Sequence, residues 1–130
     1  MKHMICKFGG TSVAARDRIQ QIESILALNP QRRCVVVSAP GKAPGVTTKV
    51  TDMLIAAVKK AQAGESPATE VADVKRRYHE IYGPLGVAAA IIDETLTDLD
   101  KRVSSSREHP KKFRDLVVAS GEDYSARLFA

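Results

Sequence analysis

Apolar residues along this chain fall into two kinds of pattern. Two short runs, Met4-Ile5-Cys6-Lys7-Phe8 and Cys34-Val35-Val36-Val37-Ser38, are continuous rather than alternating, and turn residues follow each. Such runs predict strands buried on both faces, as in a parallel sheet. Between them Ala15, Ile19, Ile22 and Leu26 share one helical face. Thr11-Ser12 is placed to cap that helix, and Asn29-Pro30 to stop it. Strand, helix and strand within about 35 residues have the size of a βαβ unit.

The rest of the chain repeats at helical spacing. After a loop from Ala39 to Thr48, a helix beginning at Lys49 carries Val50, Met53, Leu54, Ala57, Val58 and Ala61 on one stripe. Gly64 to Pro67 breaks it. Val71, Val74, Tyr78 and Ile81 mark the next helix, closed by Gly83-Pro84, and Ile92, Leu96, Leu99 and Val103 another, closed by Ser104 to Ser106. From Pro110 through Phe113, Leu116, Val117 and Tyr124 to Leu128 the pattern predicts a last helix, although Leu116-Val117-Val118 has strand character. No internal repeat interrupts this order.

Two parallel strands do not make a sheet that stands alone. The chain also ends on Arg127-Leu128-Phe129-Ala130, an apolar edge that would favour association if exposed. The expected fold is therefore α/β: a partial parallel sheet with helices, the front part of a larger domain and incomplete at the carboxyl end.

Composition narrows the function classes. The 130 residues suffice for one domain, and 44% apolar with 27% charged residues excludes bulk disorder and fibrous repeats. No run reaches the roughly 20 apolar residues of a membrane helix. The start lacks the apolar core of a secretory signal, so a cytoplasmic location is expected. The net charge of +5 is spread over short clusters, Arg32-Arg33, Lys75-Arg76-Arg77 and Lys111-Lys112, and aromatics make up only 5%. That reads as solvated helix faces with some pull on anionic substrates, not as a nucleic-acid surface. Cys6 and Cys34 read as reduced core thiols. His3, His79 and His109 lack metal-site spacing, so no metal is assigned to side chains.

Three segments carry candidate chemistry near the carboxyl ends of the strands, where open α/β sheets bind ligands. Lys7-Phe8-Gly9-Gly10-Thr11-Ser12 joins a strand end to a helix start. Its glycines allow close backbone approach, its free amides attract anions, and Lys7 adds an ammonium. By itself the segment also fits a tight turn with a capping serine. Ser38-Ala39-Pro40-Gly41-Lys42 leaves the second strand on the same edge. It lacks the glycine spacing of a Walker loop, and Thr47, Thr48, Thr51 and Asp52 offer either donors to a small polar substrate or helix caps. In Ser120-Gly121-Glu122, a glycine inside a helix asks for close packing or an approaching ligand, and Glu122 could meet an ammonium or simply be solvated.

Taken in order, these segments resemble aspartate kinases of the amino-acid kinase family. Lys7-Phe8-Gly9-Gly10-Thr11-Ser12-Val13 is similar to the family's opening signature. Val35 through Lys42 with Thr48 through Ile55 is similar to its second block, the segment Ala43 to Thr47 lengthening the loop, and Ser120-Gly121-Glu122 with Ser125 through Leu128 to its Gly-Glu block. The resemblance implies an amino-acid-kinase-like three-layer sandwich, of which residues 1–130 form the N-terminal, substrate-side part. The nucleotide-base half and the regulatory domains would be absent. It implies MgATP-dependent phosphorylation of the L-aspartate side-chain carboxylate, the first step of lysine, threonine and methionine biosynthesis. Lys7 would contact the transferring phosphoryl group, the amides of Gly9, Gly10 and Thr11 would cradle ATP's phosphates, and Ser38 and Thr51 would hold aspartate. Glu122 would take its ammonium, with Ser12 a further substrate-side candidate. ATP and Mg2+ are the implied cofactors, a homo-oligomer is expected of the full-length parent, and the 130-residue chain alone is expected to be inactive. A non-catalytic anion-binding or interaction module is the competing reading.

Overall fold

The structure, a computed structural model, describes residues 2–130; Met1 lies outside the described residues. The chain order is β1 (Met4–Phe8), a 3-10 turn (Gly10–Val13), α1 (Arg16–Ala27), β2 (Arg32–Val37), α2 (Val50–Gln62), α3 (Ala68–Tyr82), α4 (Ala89–Val103), α5 (Pro110–Val118) and α6 (Ser120–Phe129). β1 and β2 pair in parallel, Lys7 beside Val36 and Phe8 beside Val37. The expected α/β fold with a partial parallel sheet is the one observed.

The strands are not buried on both faces. Phe8, Val35 and Val37 pack toward α1 with Val13 and Ile22, forming a small core. Alternation turns Ile5, Lys7, Cys34 and Val36 to the opposite face, where Ile5 is 75% exposed. Continuous apolar sequence therefore overstated burial for a sheet of two strands. Cys6 and Cys34 are free thiols as expected, but half-buried and exposed rather than in the core.

The main core is helical. The stripe of α2 buries Val50, Leu54, Ala57, Val58 and Ala61 against α3 and α5. Val71, Val74, Tyr78 and Ile81 of α3 and Ile92, Leu96, Leu99 and Val103 of α4 are buried at the spacing the sequence predicted. The predicted last helix is two helices meeting at Ala119. The buried Ser120 hydroxyl donates back to Val117 O at 2.6 Å, which offers the chain an alternative to regular helical bonding at that point. Leu116-Val117-Val118 is helix, because Val117 packs into the core with Phe113. Leu128 is buried and Phe129 touches both cores, so the apolar edge foreseen at Arg127–Ala130 is packed rather than open.

Two contacts tie the helical block to the sheet end. The buried Arg77 of α3 donates through Nη2 to Ala14 O, between the 3-10 turn and α1. Val50 N–H, at the start of α2, donates to Pro40 O at 3.0 Å.

Candidate functional site

The ends of β1 and β2 open into two backbone segments that lie against each other. Gly41 N–H donates to Gly10 O at 2.8 Å, and Ser38 N–H to Phe8 O at 3.2 Å. A β-carbon on Gly10 would come within 3.0 Å of Ala39 O, and one on Gly41 within 2.8 Å of the Gly10 carbonyl carbon. Both glycines are needed because two main chains touch here. Gly9 has nothing within 4 Å of its would-be β-carbon, so its open side is the one available for close approach.

Thr11-Ser12 does not cap α1. Both residues sit within the 3-10 turn, where Ser12 N–H bonds Gly9 O at 3.0 Å, and α1 starts after Ala15 with no side-chain cap. The extra turn exists because Val13 and Ala14 are fully buried and pull the chain inward before the helix begins.

α6 brings the third segment to the same place. Gly121 packs on the second loop: a β-carbon there would lie 2.7 Å from Ala39 Cβ and 3.3 Å from Leu54 Cδ1. Close packing is what the glycine is for. Tyr78 O–H donates to Gly121 O at 2.5 Å from the core side. Arg102 of α4 donates to Asp98 at 2.7 Å, to Asp123 at 2.7 Å and to Leu116 O at 2.9 Å, while Tyr124 O–H reaches Asp98 at 2.9 Å. Burial alone would raise the Asp98 carboxyl, but these hydrogen bonds outweigh it and hold the group below its ordinary value. Burial pushes the Tyr78 and Tyr124 phenols up, so both stay protonated donors.

The result is a cleft of about 400 Å³ lined by Gly10, Thr11, Ser38, Gly41, Thr51 and Glu122, with Ala39 and Pro40 behind them. Five of the eight residues singled out in the sequence meet there. Lys7, Gly9 and Ser12 are not in its lining. Lys7 is exposed on the sheet face away from α1, beside Val36 and so two residues upstream of Ser38 in the neighbouring strand. Ser12 faces a different hollow, of about 290 Å³, with Phe8, Arg18 and Ile22. The threonines separate too: Thr51 is in the cleft, whereas Thr47 and Thr48 line another recess with Arg76 and Arg77. None caps α2, whose preceding residue is Lys49.

Two cations in the cleft, Lys42 and Lys49, escaped the sequence reading. Lys42 was legible only as part of a loop compared with the Walker pattern, and Lys49 only as a helix start. Among the described residues no group of three His, Cys, Asp or Glu side chains could hold a metal ion. No helix of these residues is long and apolar enough to cross a membrane.

No family model matches the chain. It is 39% identical to Aspartokinase 3 of Bacillus subtilis over 127 residues, which is 97% of this chain and 28% of that protein. With the chloroplastic Aspartokinase 3 of Arabidopsis thaliana it shares 32% identity over 133 residues, 97% of this chain and 23% of that one. Among solved structures, aspartate kinase of Clostridium acetobutylicum superposes with a TM-score of 0.82 at 24% identity, over 95% of this chain and 27% of the other. Aspartokinase III of E. coli, in complex with aspartate and ADP, gives 0.75 at 24% identity, over 98% and 28%.

The α/β fold is the one shared with the solved aspartate kinase structures. Along nearly its whole length the chain is aspartokinase-like, and it spans about a quarter of the length of the curated relatives it matches.

Proposed function

We propose that this chain is the acceptor-side part of an aspartate kinase, whose parent transfers the γ-phosphoryl group of MgATP to the side-chain carboxylate of L-aspartate. A carboxylate oxygen attacks the γ-phosphorus, the bond to the ADP oxygen breaks, and β-aspartyl phosphate and ADP leave. The same reading places the parent in the cytoplasm, as a homo-oligomer, at the entry to lysine, threonine and methionine biosynthesis.

The observation that carries this reading is the convergence of Ser38, Thr51 and Glu122, from three separate segments, on one cleft beside Gly10 and Thr11. Phosphoryl transfer asks a protein mainly for positioned charge and backbone donors. The first amides of a 3-10 turn have no acceptor inside it, so Gly10 and Thr11, with Gly9 before them, suit ATP's phosphate oxygens. Lys7 supplies an ammonium from the neighbouring strand. Ser38 and Thr51 hydroxyls orient the substrate, and Glu122 takes its ammonium, which selects an amino acid over a plain dicarboxylate. Among the described residues Glu122 is the one carboxylate lining the cleft, and it makes no magnesium site alone. The metal would arrive with the nucleotide's phosphates, where its chemistry is to neutralise their charge.

Calorimetry of the purified chain with L-aspartate, ATP and a short oligonucleotide tests the reading. Aspartate and ATP should both bind, with no ADP released when they are combined. Phosphate binding without aspartate would favour an anion-binding module, and oligonucleotide affinity falling steeply with salt would favour a nucleic-acid binder. Aspartate-dependent ADP release would refute the inactivity of the isolated chain.

A further inference from the structure

Besides the residues to which the resemblance gives a role, the cleft holds Lys42 and Lys49. Both are exposed side chains, and neither they nor Glu122 takes part in an ion pair among the described residues. By contrast Asp123, the chain neighbour of Glu122, is paired with Arg102 at 2.7 Å. Three uncompensated charges thus face one hollow, two positive and one negative.

That balance is the mirror of a dicarboxylic amino acid, which carries one ammonium and two carboxylates. An anion lacking an ammonium would leave Glu122 unmatched and repelling. A monocarboxylic amino acid would leave one lysine without a counter-charge. We propose that Lys42 and Lys49 are the carboxylate pole of the cleft and set its preference for a dicarboxylic amino acid, with Glu122 as the ammonium pole. The proposal rests on the aspartate reading of the same cleft.

The loop explains how two cations come to face one hollow. Gly41 is fixed by its bond to Gly10 O, and Val50 by its bond to Pro40 O. Lys42 follows the first anchor and Lys49 precedes the second, so the segment between them leaves and returns at the cleft rim. The antiparallel bridge of Ala43 with Val46 closes that segment as a turn. Sequence insertions in the intervening turn therefore leave both lysines in place.

The test is calorimetric titration of the chain and of Lys42→Met, Lys49→Met and the double variant with L-aspartate, L-asparagine and inorganic phosphate. Both side chains are exposed, so the variants should keep the circular dichroism of the unaltered chain. Losing a charge-assisted hydrogen bond should weaken L-aspartate by about tenfold for either variant and about a hundredfold for both. The preference for aspartate over asparagine should shrink with it, while phosphate affinity holds. Lys42→Arg with Lys49→Arg should restore most of the aspartate affinity. A double variant that keeps aspartate affinity and preference, or one that loses phosphate instead, overturns the assignment. The two levels separate through Glu122→Gln. If the unaltered chain fails to bind aspartate, or binding ignores that change, the aspartate reading falls and the lysine pole with it. If binding depends on Glu122 but not on the lysines, only the lysine pole falls.

Discussion

Gly121 lies so close to Ala39 that a β-carbon on it would stand 2.7 Å from Ala39 Cβ. Each is the chain neighbour of a cleft residue, Glu122 in one case and Ser38 in the other, so this contact sets how far the two polar groups stand apart. Gly121→Ala gains about 1 kcal/mol of helix propensity but must overpack a contact, at about 1–3 kcal/mol. A β-methyl cannot rotate away, so overpacking wins. The expected outcome is a lower urea midpoint. Aspartate affinity should fall by about tenfold or more, because ångström-scale misplacement is costly at a site.

The two glycines Gly9 and Gly41 should behave differently. Gly9→Ala meets nothing within 4 Å, and Gly9 already has an extended backbone with φ of −75°, so stability should change by less than about 0.5 kcal/mol. Gly41→Ala would press a methyl against backbone at 2.8 Å and disturb the Gly41–Gly10 bond. It should cost about 1–3 kcal/mol and weaken phosphate binding as well. Urea denaturation of the two variants side by side checks the contrast.

Acid should loosen α6. Asp98 holds its carboxyl below the ordinary value, so its contribution is fully present above the unfolded value of about 3.9. It is lost as pH falls through the lower folded value. Asp98→Asn should therefore be less stable than the parent chain at neutral pH, with the difference narrowing below about pH 4. Thermal melting of both proteins between neutral and strongly acidic pH measures this.

Alkali should act through the buried phenols. Burial raises Tyr78 and Tyr124, and pushes Tyr82 up to about 12. A raised folded value means stability is present below the unfolded value of about 10 and declines as pH rises above it. Tyr78→Phe, which removes the donor to Gly121 O, should cost about 1 kcal/mol at neutral pH and lessen the alkaline decline.

How much of this was legible in the sequence depends on how local the cause is. The stripes of α2, α3 and α4 were readable residue by residue, because a helical face is set by spacing alone. The β1 boundaries were readable as an apolar run ended by glycines. Strand burial was not, since Ile5 and Val36 are covered or bare according to what lies across the sheet. The 3-10 turn was hidden because burial of Val13 and Ala14 makes it, and the break at Ala119 because the buried Ser120 hydroxyl turns back to Val117 O, a bond that residue spacing does not announce. Ser38, Thr51 and Glu122 were found through motif resemblance, and their convergence came from Gly10, Gly41 and Gly121, each placed where backbones or helices touch. Lys42 and Lys49 carried no local signal, since an exposed lysine reads as solvated until a cleft is seen to contain it.

The most direct test of the account is nuclear magnetic resonance titration of the isotopically labelled chain with L-aspartate. Amide shifts should concentrate on Gly10, Ser38, Gly41, Thr51 and Glu122, and Glu122→Gln should abolish most of them. Shifts confined to the hollow of Phe8, Ser12 and Arg18, or none at millimolar aspartate, would contradict the claim that these three segments form an aspartate site.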